Sequence, residues 1–249
     1  MEVHHHSHTP RKKWTHYFWE FFMLFLAVTL GFFVENQREH YVEHQRTEQY
    51  ASSLIDNLNR DTAAFRILEQ SYKRDILKID TFRNMLKNTP LEQIPGGSLY
   101  YYCEPVIWSK GITFHDATIQ QLKNSGNLRY FPADLQNKIS EYDRMARELL
   151  ARQENELYFS RMSREMMTAI FEAEYILSVT NLSVSSNIEE FKNKNMKLIT
   201  EDTLALKKLL NEVIYRQASW QFRLQQIIEP TNSTAIDLLK DLEKEYHFK

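Results

Sequence analysis

Cysteine occurs once, at Cys103, so no disulfide can close within the chain and the fold must hold without one. Glycine and proline are nearly as scarce, five and six residues in 249. Both punctuate turns, so their rarity predicts long helices joined by few connections. Between Phe32 and Thr89 neither occurs at all. Catalytic and cofactor signatures are missing too. The chain contains no G-x-G-x-x-G, no P-loop, no G-x-S-x-G, no H-E-x-x-H and no C-x-x-C. No charge of one sign dominates: 31 Lys and Arg stand against 33 Asp and Glu, a formal net charge of −2. That balance lacks the basic face that nucleic-acid binding requires. No enzyme class and no cofactor is expected from this reading.

What the chain does have is one apolar run, WTHYFWEFFMLFLAVTLGFFV, from Trp14 to Val34. As a helix rising about 1.5 Å per residue it covers the roughly 30 Å hydrocarbon layer of a bilayer. Trp14, Tyr17 and Trp19 sit at one end, as an interfacial aromatic belt does. Bulky Phe32 and Phe33 stand where a signal-peptide cleavage site needs small residues, so an uncleaved anchor is expected. Arg11, Lys12 and Lys13 precede the run and place the N-terminus in the cytoplasm by the positive-inside rule. The domain plan is a disordered, His-rich basic stub over 1–13, a transmembrane helix over 14–34 and an extracytoplasmic helical bundle over 35–249.

The periodicity beyond the anchor supports that plan. Ala51, Leu54, Leu58, Phe65, Tyr72, Ile79 and Leu86 belong to a row stepping by three or four, with a mean of about 3.5 residues. That is the period of left-handed helix packing, in a bundle or a coiled coil. Thr89-Pro90 ends this helix, and an aromatic connection over 90–114 follows, carrying Tyr100, Tyr101, Tyr102 and Trp108. A short strand or hairpin between Leu99 and Phe114 is consistent with its composition. A short helix, Asp116 to Asn124, should close at Gly126 in the left-handed conformation. The next long helix starts at Pro132 and runs to about Leu177, with Leu135, Ile139, Leu149, Leu157 and Met162 among its apolar residues. The last begins near Thr200, has Leu209, Val213 and Trp220 in its seam, and is kinked or broken at Pro230. A final segment carries Ile236, Leu239 and Leu242 on one face. The fold class is all-α, one membrane helix continuing into an elongated antiparallel bundle.

Three constellations merit weighing. His4, His5, His6 and His8 could bend around one cation and are the candidate metal site. His40-Tyr41-Val42-Glu43-His44 matches H-x-x-E-H, a zinc-peptidase spacing, but lies in a polar helix without pocket signals and reads as a solvated face. Glu20 is a carboxylate inside the span. Such a group is costly there and calls for a partner, either Lys12 or Lys13 or a neighbouring membrane helix.

Two stretches carry a resemblance. HHHSHTPRKKWTHYFWEFFMLFLAVTLGFFVENQREHY and, over Thr113 to Phe131, TFHDATIQQLKNSGNLRYF resemble the opening and an internal block of a family of uncharacterised single-span membrane proteins of Bacteroidota. The resemblance implies an inner-membrane protein of a Gram-negative cell with a native His stub. It implies no activity and no site residues. The expected role is a non-enzymatic scaffold or accessory subunit acting on a protein partner or on itself. The alternatives are a ligand-sensing bundle that signals through a partner and an oligomeric channel or transporter component. A deep polar pocket would favour the sensor, and a bare aromatic tip would favour the scaffold.

Overall fold

The computed structural model describes residues 14–182 and 187–247. Every regular element among them is helical, with no strand. In chain order these are α1 (Trp14–Asn88), α2 (Gly96–Cys103), α3 (Ala117–Ser125), α4 (Ala133–Thr168), α5 (Ala173–Leu182), α6 (Ile188–Lys192), α7 (Thr203–Arg223) and α8 (Glu229–Tyr246). Short 3-10 turns occupy Leu91–Gln93, Glu104–Ile107 and Asn127–Tyr130. The chain divides into two compact units, and the division, between Gln49 and Tyr50, falls inside α1.

In the first unit, α1 is the one described helix long and apolar enough to cross a membrane. Its aromatic rings stack along the helix, Phe18 on Phe22 and Phe21 on Phe25, each pair at 6.3 Å. Thr29, the polar residue of the run, donates its hydroxyl hydrogen to the Phe25 carbonyl at 2.8 Å, so it brings no unsatisfied group into an apolar setting.

The second unit has one apolar core, to which α1 contributes the row read from the sequence. Ala51, Leu54, Leu58, Thr62, Phe65, Leu68, Tyr72, Ile79 and Phe82 are buried, and Ile76 and Leu86 are half-buried. Helix α3 closes at Gly126 with φ 70°, the left-handed residue its sequence calls for. Helix α7 starts on Asp202, whose carboxylate accepts from the Leu204 amide at 3.0 Å.

Four expectations are corrected. The aromatic connection holds no strand: Gly96–Cys103 is helical and Tyr100 is fully buried. Its two glycines begin a helix rather than a turn, because α2 lies directly against the backbone around α6. The Gly97 amide donates to the Lys194 carbonyl at 3.0 Å, and the Ser98 hydroxyl to the Lys192 carbonyl at 3.0 Å. The helix expected from Pro132 to about Leu177 is two helices. It stops at Thr168 because neighbours satisfy the freed backbone: Tyr100 Oη accepts from the Glu172 amide at 2.9 Å, and the Ile199 amide donates to the Ile170 carbonyl at 2.8 Å.

Leu157 and Met162, expected on the apolar side of α4, are exposed, while Glu156, Ser160, Ser163 and Met167 are buried. The inward face of that stretch is polar from Glu156 to Ser163. Finally, Pro230 neither ends nor breaks the last helix. A proline ring clashes with the carbonyl four residues back, here that of Gln226. The backbone widens into a π turn over Leu224–Ile228 and α8 follows without a loop. The inward face then carries Ala235, Leu238 and Leu242, with Ile236 and Leu239 at its edges. Helix α5 continues to Leu182, and residues 183–186 lie outside the described residues.

Candidate functional site

Four residues of α1, Ser71, Arg74, Asp75 and Lys78, recur at helical spacing and line one face of a cleft of 520 Å³. Opposite them stand Tyr101 of α2, Glu104 and Pro105 of the next turn, and Trp108 and Lys110 of the extended segment after it. Val179 and Thr180 of α5 and Ile188 of α6 complete the wall. That volume suits a small molecule.

The cleft is built from charges of both signs in partial burial. Lys110 pairs with Asp75, which also accepts from Arg74 Nε at 3.1 Å. Lys78 Nζ lies 3.8 Å from Glu104 Oε2 and 4.1 Å from the centre of the Tyr101 ring. Burial pushes the Glu104 carboxyl up from its ordinary value, and Lys78 pulls it only part of the way back. Burial likewise pushes the Lys78 and Lys110 ammonium groups down, against the carboxylates beside them. Acid and base are thus moved toward each other by one cause, withdrawal from water. A cleft holding such a pair, with ring faces at its wall, is chemically matched to a ligand bearing both an anion and a cation.

Behind the cleft the polar groups continue into the core. The Lys110 ammonium lies 4.9 Å from the Tyr72 ring and 4.8 Å from the Trp220 ring. Trp220 Nε1 donates to Glu156 Oε1 at 2.8 Å, and the same oxygen accepts from Arg216 Nη2 at 2.7 Å. Arg223 Nη1 stands 3.6 Å from Glu156 Oε2. Glu156 is 3 % exposed, Arg216 1 % and Arg223 5 %, so three formal charges share an interior site. This cluster is why α4 presents Glu156 inward.

Another buried carboxylate, Asp61, accepts from Tyr142 Oη at 2.7 Å and from the His115 amide at 3.0 Å, with His115 Nδ1 at 2.8 Å. An Asp–His pair can orient a general base. No cysteine, serine or threonine hydroxyl is bonded to His115 among the described residues, and the contact serves to pin the segment before α3 onto α1 and α4. Cys103 is fully buried against Met167, and burial pushes its thiol up, away from the reactive thiolate.

The residues singled out from sequence are not gathered into any of these places. His4, His5, His6 and His8 lie outside the described residues, as do Lys12 and Lys13. Glu20 is met from its own helix: His16 Nε2 lies 3.1 Å from Glu20 Oε1, one turn earlier. His40 and His44 each face a separate carboxylate, Glu43 at 3.8 Å and Glu48 at 3.5 Å, and no metal-holding group of three His, Cys, Asp or Glu occurs among the described residues. Conversely, the cleft and the Glu156 cluster went unread in the sequence. The signal available was Glu156 at helical spacing from Leu149, Ser160 and Ser163, a polar residue on a stripe that ought to be apolar.

No protein-family model, curated protein or solved structure matches the chain.

Proposed function

We propose that the chain is a membrane-anchored, non-enzymatic receptor module whose antiparallel helical bundle takes a small zwitterionic ligand in the Lys78–Glu104 cleft. The observation that carries the reading is the cleft itself, polar, of ligand size, and holding an acid and a base displaced toward each other by burial. The packing of Tyr100 also counts against a bare aromatic tip. The span over 14–34 would hold the module in the inner membrane, N-terminus inside and bundle in the periplasm, and a protein partner would receive the signal. A scaffold or accessory subunit is the second reading. It is favoured by large side chains left exposed on α4 and α7: Tyr158, Leu157, Tyr215 and Phe222. For a channel component the supporting observation is narrower, the Glu20–His16 pair within the span.

The ligand reading is tested with the full chain in detergent, titrated with each of the standard amino acids while Trp fluorescence and thermal midpoint are followed. At least one should give a saturable shift. Lys78→Met and Glu104→Gln should each remove it, since each deletes one half of the charge complement. Flat titrations across the whole set, or binding indifferent to both substitutions, would exclude the cleft. Topology has its own test. An alkaline phosphatase reporter fused after Lys249 should be active, because that enzyme matures only outside the cytoplasm, and an inactive but intact fusion would reverse the orientation.

A further inference from the structure

The Glu156 cluster has more cation than it can pair. Arg216 and Arg223 share one carboxylate, and Asp75, beyond Tyr72 and Lys110, is already engaged by Lys110 and Arg74. Burying a charge is expensive unless it is paired and hydrogen-bonded. Arg216 places one nitrogen on Glu156. The remaining donors have no hydrogen-bond partner among the described residues: Nε and Nη1 of Arg216, and Nε, Nη1 and Nη2 of Arg223. At 3.6 Å the Arg223–Glu156 contact is an ion pair and not a hydrogen bond. Nor does the aromatic neighbour make up the difference, since the Arg223 guanidinium sits 6.0 Å from the Tyr72 ring, at the outer limit of a cation–π contact.

Arg223, which carries three of these donors, adjoins a cavity. It measures 130 Å³, and Glu156 and Arg223 form part of its wall. Asn155 and Ser219 add an amide and a hydroxyl, while Phe159 and Phe222 contribute rings. Ring edges carry partial positive charge, so the aromatic walls do not repel an anion in the ring plane. The space is well under the roughly 300 Å³ at which sites for drug-sized molecules begin, which excludes a nucleotide or a sugar phosphate. The π turn forced by Pro230 begins at Leu224, directly after Arg223. Such turns recur at functional sites because they let a helix continue while shifting which residues face inward.

We propose that this cavity is a small-oxyanion site, with Arg223 as its receptor. The occupant would be of phosphate, sulfate or short-carboxylate size. A planar guanidinium offers two parallel N–H groups that match two oxygens of such an ion, which a point-charge ammonium does not. Bound there, the anion balances the second arginine and gives its donors acceptors. It thereby joins α4 to α7 across the cavity. This site is separate from the zwitterion cleft, and either can stand without the other.

The test is calorimetric titration of the full chain in a non-ionic detergent with sodium phosphate, ionic strength being held constant with sodium chloride. One saturable event is expected, competed by sulfate and by acetate but not by the chloride background. Arg223→Lys should weaken it roughly tenfold or more, the loss of about one charge-assisted hydrogen bond. Arg223→Gln should abolish it and still fold, because Glu156 and Arg216 then balance each other. Ser219→Tyr, which fills the cavity without touching the arginine, should abolish it as well, so the proposal does not depend on Arg223 variants alone. Absence of a saturable event, or phosphate affinity unchanged in Arg223→Gln or in Ser219→Tyr, overturns the site.

Discussion

Glu156→Ala should lower the unfolding free energy by about 3–5 kcal/mol, the range for removing one partner of a buried ion pair. The loss is large because one carboxylate serves three neighbours. Arg216 and Trp220 both donate to its Oε1, and Arg223 stands beside its Oε2. Without it, two guanidinium groups remain in the interior with no counter-charge of their own. Glu156→Gln should cost less. It keeps an acceptor for Arg216 and the indole while removing only the charge. Adding Arg223→Met to Glu156→Ala should restore part of the loss, since the second variant removes one of the stranded cations. The measurement is urea unfolding of the full chain in detergent, followed by helical circular dichroism. A loss under about 1 kcal/mol for Glu156→Ala would mean that the apolar contacts alone hold α4 to α7.

The same cluster explains where the sequence could be read and where it could not. Helical periodicity is a statement about apolar residues, so it found the row of α1 from Ala51 to Phe82 and passed over Asp61 and Asp75, which are buried beside it. It also found Leu135, Ile139 and Leu149 on α4. Beyond Leu149 the inward face of α4 becomes Glu156, Ser160 and Ser163, while the apolar residues Leu157 and Met162 lie outward. The pairing that makes a buried glutamate tolerable comes from Arg216 and Trp220, some 60 residues on. No local pattern announces it. The cleft was hidden for the same reason: Lys78 and Glu104 are ordinary charged residues until the fold sets them 3.8 Å apart. Within the span, Glu20 stands out as a carboxylate, but the sequence pointed to Lys12, Lys13 or another membrane helix beside it, whereas the structure sets His16, one turn earlier on the same helix, 3.1 Å away. Turn chemistry was legible at Gly126, where the conformation demands glycine; at Gly96 and Gly97 a close approach of backbone from a distant segment demands it, which no local pattern shows.

That close approach makes Gly96→Ala the other substitution with a large expected effect. A methyl group at Gly96 would stand 1.7 Å from the Met196 carbonyl oxygen, and one at Gly97 would stand 2.0 Å from that of Phe191. Both obstacles are backbone, which cannot swing aside as a long side chain does. The helix would have to lift away from the segment around α6, breaking the Gly97 amide bond to Lys194 and the Tyr100 hydroxyl bond to the Lys197 carbonyl, 3.0 and 2.9 Å long. Overpacking costs roughly 1–3 kcal/mol and occasionally more, and a clash with backbone that cannot swing aside belongs at the upper end of that range. Gly111→Ala is the graded control. Its methyl would meet only the amide end of Gln153, at 2.5 Å, and that side chain can move. The consequence reaches past stability, because Tyr101 and Glu104 ride on α2 and the turn that follows it. Displacing α2 should therefore open the cleft wall, so that Gly96→Ala loses ligand response in the cleft even below its melting temperature. Phosphate binding at Arg223, whose cavity is lined from α4, α7 and the π turn, should survive in the same protein. A Gly96→Ala protein that melts with the parent would show that α2 has room to slide, and the cleft would then lack the rigid wall argued for it.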